Sequence, residues 1–464
     1  MWEIHDQPGP SVSDRPGDGG ARRRARFAVV VACGCVAAAC WWAAGVGAGV
    51  QGPARGDFGT EPLAIGRDGG FVAGDRPVFP VALSNPPPLL GRTPAGESAP
   101  AAIARAGVNL VRIGPAWTGW TRQEVEYVLA WNAEAERLGM RTWVRLNTFA
   151  ATHPHWGGEA RLAAVVGELI TNQGAEAIGF WQGADEPWSR DIPARSLSFF
   201  YCRLTGRGAR SACAGKPPLD ADHLLVTILA PSGSRADLAP YRRVSDGLGV
   251  DVYPVTLANP NPDLHQVGIW TRRIAGINRH HFVWTTLQIC SVRSYNRHTG
   301  AYVLPSPFQE RYMLYDAIIN GARGVSFYGG KNPHCWNSLD RRYRWNWTFW
   351  RSTLRPLIRQ IGSGSALAPA LANAASNRVL HTSDPGTEAI RRIAVTPAGR
   401  RLWAIAARSR PGVARVTIRG LPAGARWATV AGEGRRVRVL HGTLTDTFRR
   451  WQVHVYRIAL RSTG

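Results

Sequence analysis

Between residue 75 and about residue 360, eight short apolar runs alternate with stretches of helical character. The runs are VFPVAL (78–83), NLVRI (109–113), TWVRLN (142–147), AIGFWQGA (177–184), LLVTIL (224–229), GLGVDVY (247–253), FVWTTLQI (282–289) and GVSFYG (324–329). Helical patterns such as EVEYVLAWNAEAERLG (124–139) and PFQERYMLYDAIINGA (307–322) lie between them. Strands this continuously apolar are buried on both faces, as in a parallel sheet covered by helices. Eight strand–helix units predict a closed α/β architecture, a (β/α)8 TIM barrel over residues 76–362. A doubly wound open sheet is the competitor, but no Gly-rich phosphate loop follows the first strand.

The grammar changes beyond about residue 365. RRIAVTP, RRLWAIAARS, ARVTIRG, RRVRVLHG and WQVHVYRIAL are short strand-like runs separated by Gly, Pro and Asp turns. They predict a C-terminal antiparallel β-sandwich over 366–464, packed against the barrel. Upstream, residues 51–75 read as a linker and residues 1–26 as a polar, basic head. Residues 27–50, FAVVVACGCVAAACWWAAGVGAGV, carry no charge and exceed the roughly 20 residues that span a bilayer. RRRAR (22–26) in front favours an N-terminus held in the cytoplasm. The run reads as a transmembrane anchor, or as a signal segment cut near Ala48; either way the remainder is exported.

Cysteine usage agrees. Cys33, Cys35 and Cys40 lie in the apolar run, leaving Cys202, Cys213, Cys290 and Cys335 in the exported part. An even count in an oxidising compartment predicts two disulfides, Cys202–Cys213 and Cys290–Cys335. No CxxC pair exists, so no zinc site is expected.

The formal charge of +24 invites a nucleic-acid reading. Against it, Lys occurs only at Lys216 and Lys331, and outside RRRAR the arginines are scattered. The excess is compositional; no nucleic-acid partner is expected, and attraction to an anionic membrane or wall polymer is the better consequence. The 19 Trp residues are far above ordinary usage, and indole faces suit flat apolar surfaces such as sugar rings.

Active sites of such barrels sit at the C-terminal strand ends. Strand two ends in Arg112, strand three in Asn147, and strand four in Asp185-Glu186. Strand six ends in Asp251 and Tyr253, strand seven in Gln288, strand eight in Tyr328. Trp117, Trp120, Trp188 and Trp336 follow closely. Polar groups ringed by aromatic residues form what a saccharide site requires.

GVNLVRI, the acid-Pro-aromatic end of strand four (Asp185-Glu186-Pro187-Trp188) and Tyr253 resemble the superfamily of (β/α)8 retaining glycoside hydrolases. The tail LPAGARWATVAGEGRRVRV is similar to the β-sandwich appended to many such enzymes. There, strand four usually ends in Asn-Glu-Pro. The resemblance makes Glu186 the general acid/base, puts Asp185 where an Asn usually stands, and makes Arg112 the strand-two arginine. It implies a carbohydrate substrate and no metal or organic cofactor. Arg112, Asn147, Tyr253, Gln288, Tyr328 and the four tryptophans become candidate sugar contacts.

One departure is serious. The superfamily's nucleophile is a Glu ending strand seven, where this chain has Gln288. An amide cannot form the glycosyl ester. Either Asp251 replaces it (Glu310 being a poor candidate), or the substrate's own acetamide attacks with Asp185-Glu186 assisting, or hydrolysis is lost and a sugar-binding pseudoenzyme remains. Plainer roles compete: a strand-end turn at Asp185-Glu186, an ion pair for Arg112, a strand cap for Asp251 and a core amide for Gln288. His280-His281 precede strand seven, at the wrong end of the barrel. Two adjacent acids push one pKa upward, which suits Glu186 as proton donor.

Overall fold

A computed structural model describes residues 61–115, 119–150, 158–256, 259–277, 282–290, 303–397 and 399–459. The segment 27–50 lies outside them, and no described helix is long and apolar enough to cross a membrane. Trp117 and His280-His281 also lie outside them.

Three short antiparallel strands come first: β1 (Leu63–Ile65), β2 (Phe71–Ala73) and β3 (Arg76–Val78). The barrel follows as β4 (Val81–Leu83), β5 (Leu110–Ile113), β6 (Arg141–Arg145), β7 (Ile178–Asp185), β8 (Leu224–Leu229), β9 (Gly247–Val252), β10 (Phe282–Gln288) and β11 (Gly324–Tyr328). Each pairs in parallel with the next, and β11 closes onto β4. The eight expected strands are these. The helical patterns also fold as read, over Arg122–Arg137 and Pro307–Ile319.

Side chains alternate across a strand. Val111, Val144, Trp181, Val250 and Val325 therefore face the helices and join the main core. Leu110, Trp143, Phe180, Val226, Ile228, Phe282 and Trp284 fill the interior. Trp143 and Trp284 meet edge-to-face at 4.4 Å, and Phe180 meets Trp284 at 5.6 Å. Gly249 makes this possible, because a Cβ there would fall 2.8 Å from Trp284 Cδ1 and 2.5 Å from Ile228 Cδ1.

The linker expected over 51–75 is corrected where it is described. Residues 61–75 supply β1 and β2, which close the barrel floor. Phe71 enters among the interior rings, 3.6 Å from Phe282 and 5.7 Å from Phe180. The signal was faint because three-residue strands carry almost no periodicity.

The C-terminal part comprises β12 (Arg378–Thr382), β13 (Thr387–Thr396), β14 (Gly399–Arg408), β15 (Val413–Arg419), β16 (Trp427–Val430), β17 (Arg435–Leu440), β18 (Thr443–Arg449) and β19 (Val453–Ile458). All pairings are antiparallel. The expected sandwich is closed at both edges. β12 leaves β13 to pair with β15, and β17 leaves β16 to pair with β18, so the eight strands form a ring. Leu402, Ala404, Ala406 and Tyr456 face its own core. Ile390, Trp403, Ile405 and Val455 face the other way and join the barrel's core. Cys202 pairs with Cys213 and Cys290 with Cys335, at Cα separations of 5.5 and 5.9 Å.

Candidate active site

One step toward the C-terminal ends from the interior aromatic layer, the same alternation turns Arg112, Arg145, Gln182, Asp251, Gln288 and Tyr328 inward. The Arg112 guanidinium lies 5.0 Å over the Trp143 ring and 5.6 Å from that of Tyr328. Its Nε donates to the Ser84 carbonyl at 3.2 Å and its Nη1 to Gln182 Oε1 at 3.4 Å. Gln182 Nε2 donates onward to Asp185 Oδ1 at 3.0 Å. A register shift between Gln182 and Asp185 sets Asp185 opposite Ile228 of β8, so β7 bends as it reaches the rim.

Glu186 follows with φ +51°, a left-handed conformation that costs a non-glycine residue roughly 1 kcal/mol or more. Its N–H donates to the Ile228 carbonyl at 2.8 Å, which holds the turn. The carboxylate is 25% exposed and meets Arg190 only at 3.5 Å, so it stays reachable and weakly held. Asp251, two strands further round on β9, interacts with Glu186. Its Oδ1 is enclosed with no hydrogen-bond partner among the described residues.

Burial pushes the Asp251 carboxyl well above the usual range, and the charges of Glu186 and Asp185 push it further. Of the acids at this rim, Asp251 is therefore the one whose charged form is most disfavoured. Tyr253 stacks on Tyr328 at 5.8 Å and 17° beside the pair. Its hydroxyl is raised well above the ordinary value by burial and then by Asp251.

Asp185, Glu186, Asp251, Arg112, Tyr253 and Tyr328 are thus brought together. Asn147 is buried at the start of a short helix, Asn147–Ala150, just above β6. Trp188 is exposed in the turn after Glu186, its ring lying against Gly233. Trp336 is partly buried and donates from Nε1 to the Gly330 carbonyl at 3.0 Å.

Two candidate sugar contacts are corrected. Gln288 is fully buried; Oε1 accepts from the Val255 N–H at 2.8 Å and Nε2 donates to the Val255 carbonyl at 2.7 Å. Both ends of its amide are engaged by the Val255 backbone. Trp120 is buried in the helix-side core against Phe149 at 6.5 Å, so it offers no platform. Glu310 is also out of the site: wholly buried, its carboxyl is raised by burial alone.

Arg145 and Gln182 were missed as site residues. Arg145 donates from Nε to the Gly114 carbonyl at 3.1 Å. Burial and the adjacent Arg112 cation push it down to about 9, so its charge is poorly accommodated rather than lost. Counting two residues on from Trp143 and Phe180 would have found both.

Among the described residues, His265, Asp316 and Glu388 have ligand atoms within 4.8 Å of one another. The geometry does not suit a metal. Gly268 N–H and Asn320 donate to Asp316, and Arg272 and Asn320 donate to Glu388. The cluster is a polar latch between the barrel helices and β13.

No family model and no curated relative matches the chain. Solved structures match in fold. One is an α-amylase from Geobacillus thermoleovorans complexed with acarbose: TM-score 0.50, 10% identity, 83% of this chain and 99% of that one. A second is a glycoside hydrolase, with TM-score 0.56, 10% identity and coverage of 88% and 99%. A third is a family 5 glycoside hydrolase from Bacteroides vulgatus, with TM-score 0.52, 12% identity and coverage of 88% and 95%. The architecture is that of these glycoside hydrolases. Identity this low ties the chain to them by its path alone.

Proposed function

We propose that this chain is an exported glycoside hydrolase-like protein that cleaves O-glycosidic bonds of a poly- or oligosaccharide. The observation that carries the reading is the Glu186–Asp251 carboxyl pair at the C-terminal end of the barrel, with Asp251 raised well above the usual range, beside Tyr253, Tyr328 and Arg112. The acarbose-bound amylase that shares this fold adds weight to a saccharide ligand. The disulfides fit an oxidising compartment. Residues 27–50 would anchor the chain or be removed near Ala48.

One proton supplies both roles. Saccharide entering between the carboxyls parts them, and the proton passes from Asp251 to the more exposed Glu186. Glu186 then protonates the leaving glycosidic oxygen as the C1–O bond breaks. Asp251, now a carboxylate, attacks C1 if the opened spacing nears ~5 Å, or activates a water if it is wider. Asp185, tethered by Gln182, adds negative charge that resists ionisation of Asp251.

A second reading is favoured by Gln288. Its amide stands where the superfamily has its nucleophile and is locked to Val255, as expected if hydrolysis has been lost and saccharide binding retained. A screen of defined α- and β-linked oligosaccharides separates the two. Hydrolysis by the wild type that falls about 100-fold or more in both Glu186→Gln and Asp251→Asn supports the enzyme. Binding without turnover supports the second reading, and unchanged turnover in Glu186→Gln removes that residue from the mechanism.

A further inference from the structure

At the other end of the barrel from Glu186, two arginines near enough to act on each other's charge lie under the β domain. Arg323 immediately precedes β11, and Arg392 lies on β13 at a barrel-facing position between Ile390 and Ala394. Arg392 is fully buried. Its Nη1 donates to the Leu371 carbonyl at 2.8 Å. Its Nε and Nη2 are enclosed without an acceptor, and so is Nη1 of Arg323. Burial and the Arg323 charge push the Arg392 guanidinium down to about 9, while Asp68 acts the other way.

Asp68, in the turn between β1 and β2, is the acid that acts on both arginines. Its oxygens are turned to backbone: Oδ1 accepts from Gly70 N–H at 3.0 Å and Oδ2 from Ala375 N–H at 2.7 Å. Neither arginine forms an ion pair with it or with any other described residue. Two guanidinium groups therefore share one carboxylate at a distance, and a buried cation without a partner is among the costliest arrangements in a protein interior. Guanidinium has donors only and stays charged, so it cannot relieve the strain by releasing a proton. Water would satisfy the N–H groups but not the charge.

We infer that a small inorganic monoanion, of the size of chloride, binds between Arg323 and Arg392 and fastens the β domain to the barrel floor. Its donors are the three enclosed N–H groups. The complete burial of Arg392 favours a single atom over an oxyanion.

The test uses the full chain. Crystals grown in sodium bromide should show an anomalous peak within hydrogen-bonding distance of Arg392 Nε or Nη2 and Arg323 Nη1. In solution, melting in sodium chloride should lie about 2–4 °C above melting in sodium gluconate at equal ionic strength, rising with the logarithm of chloride. Arg392→Met and Arg323→Gln should each erase that difference, so a failure of one to fold leaves the other. Water in place of the bromide peak, or equal melting of the wild type in the two salts, overturns the inference.

Discussion

Gln288 grips Val255 by both ends of one amide, accepting from its N–H and donating to its carbonyl. That grip fixes the chain two residues beyond Tyr253. Gln288→Glu should therefore not create activity. A carboxylate can accept from the Val255 N–H but cannot donate to its carbonyl, and it would sit charged in a buried place. Urea unfolding should show a loss of about 2–4 kcal/mol, and hydrolysis should fall rather than rise.

Asp251 should trade stability for its role. Its carboxyl is raised in the folded chain, so its contribution is fully present below the ordinary carboxylate value and is lost as pH rises through the folded value. Asp251→Asn should match the wild type in acid and exceed it by about 1 kcal/mol under alkaline conditions. Denaturant midpoints across pH would show this. Wild-type activity should fall on the alkaline side as the shared proton leaves, and a flat profile there would rule out the shared-proton scheme.

The latch at His265 predicts the opposite kind of variant. His265 Nδ1 meets Asp316 Oδ1 at 3.0 Å, with Glu388, Asp263, Arg272 and Tyr312 around it. The hydrogen bond to Asp316 raises the imidazole, so the stabilisation from its charge is greatest near its ordinary value while Asp316 is ionised, and fades as pH climbs through the raised one. Asp316 itself is pushed up to about 6 by burial, so below that pH the pair loses its anion. His265→Gln should cost about 2 kcal/mol near pH 6.5 and less near pH 9, measured by chemical unfolding.

Gly249 should tolerate no side chain. Gly249→Ala would place a methyl against Ile228 and Trp284 in the barrel interior, costing about 1–3 kcal/mol by calorimetry with far-ultraviolet circular dichroism retained.

The barrel was legible because its strands are long, apolar and evenly spaced by helices, as VTI at 226–228 and FVWTTL at 282–287 show. The site was half legible. Strand ends pointed to Asp185, Glu186, Asp251, Arg112 and Tyr253, since the ends of parallel strands must converge on one rim. Arg145 was passed over because Asn147 was taken as the strand end, one inward position too far along. Gln288 and Trp120 look the same in sequence whether they face a ligand or a core; only the partner at Val255 and the packing on Phe149 separate the two. That Asp251 is the raised acid depends on its enclosure, which arises only when β9 closes in beside β7 with β8 between them.

Cys290 follows Gln288 by two residues and is joined to Cys335, beyond β11, so one arc of the rim is a covalent hoop. In a reducing cytoplasm that arc would be open and its two segments independent. Completion of that part of the rim is therefore coupled to the redox poise of the surroundings, since an oxidising environment is what closes the bond.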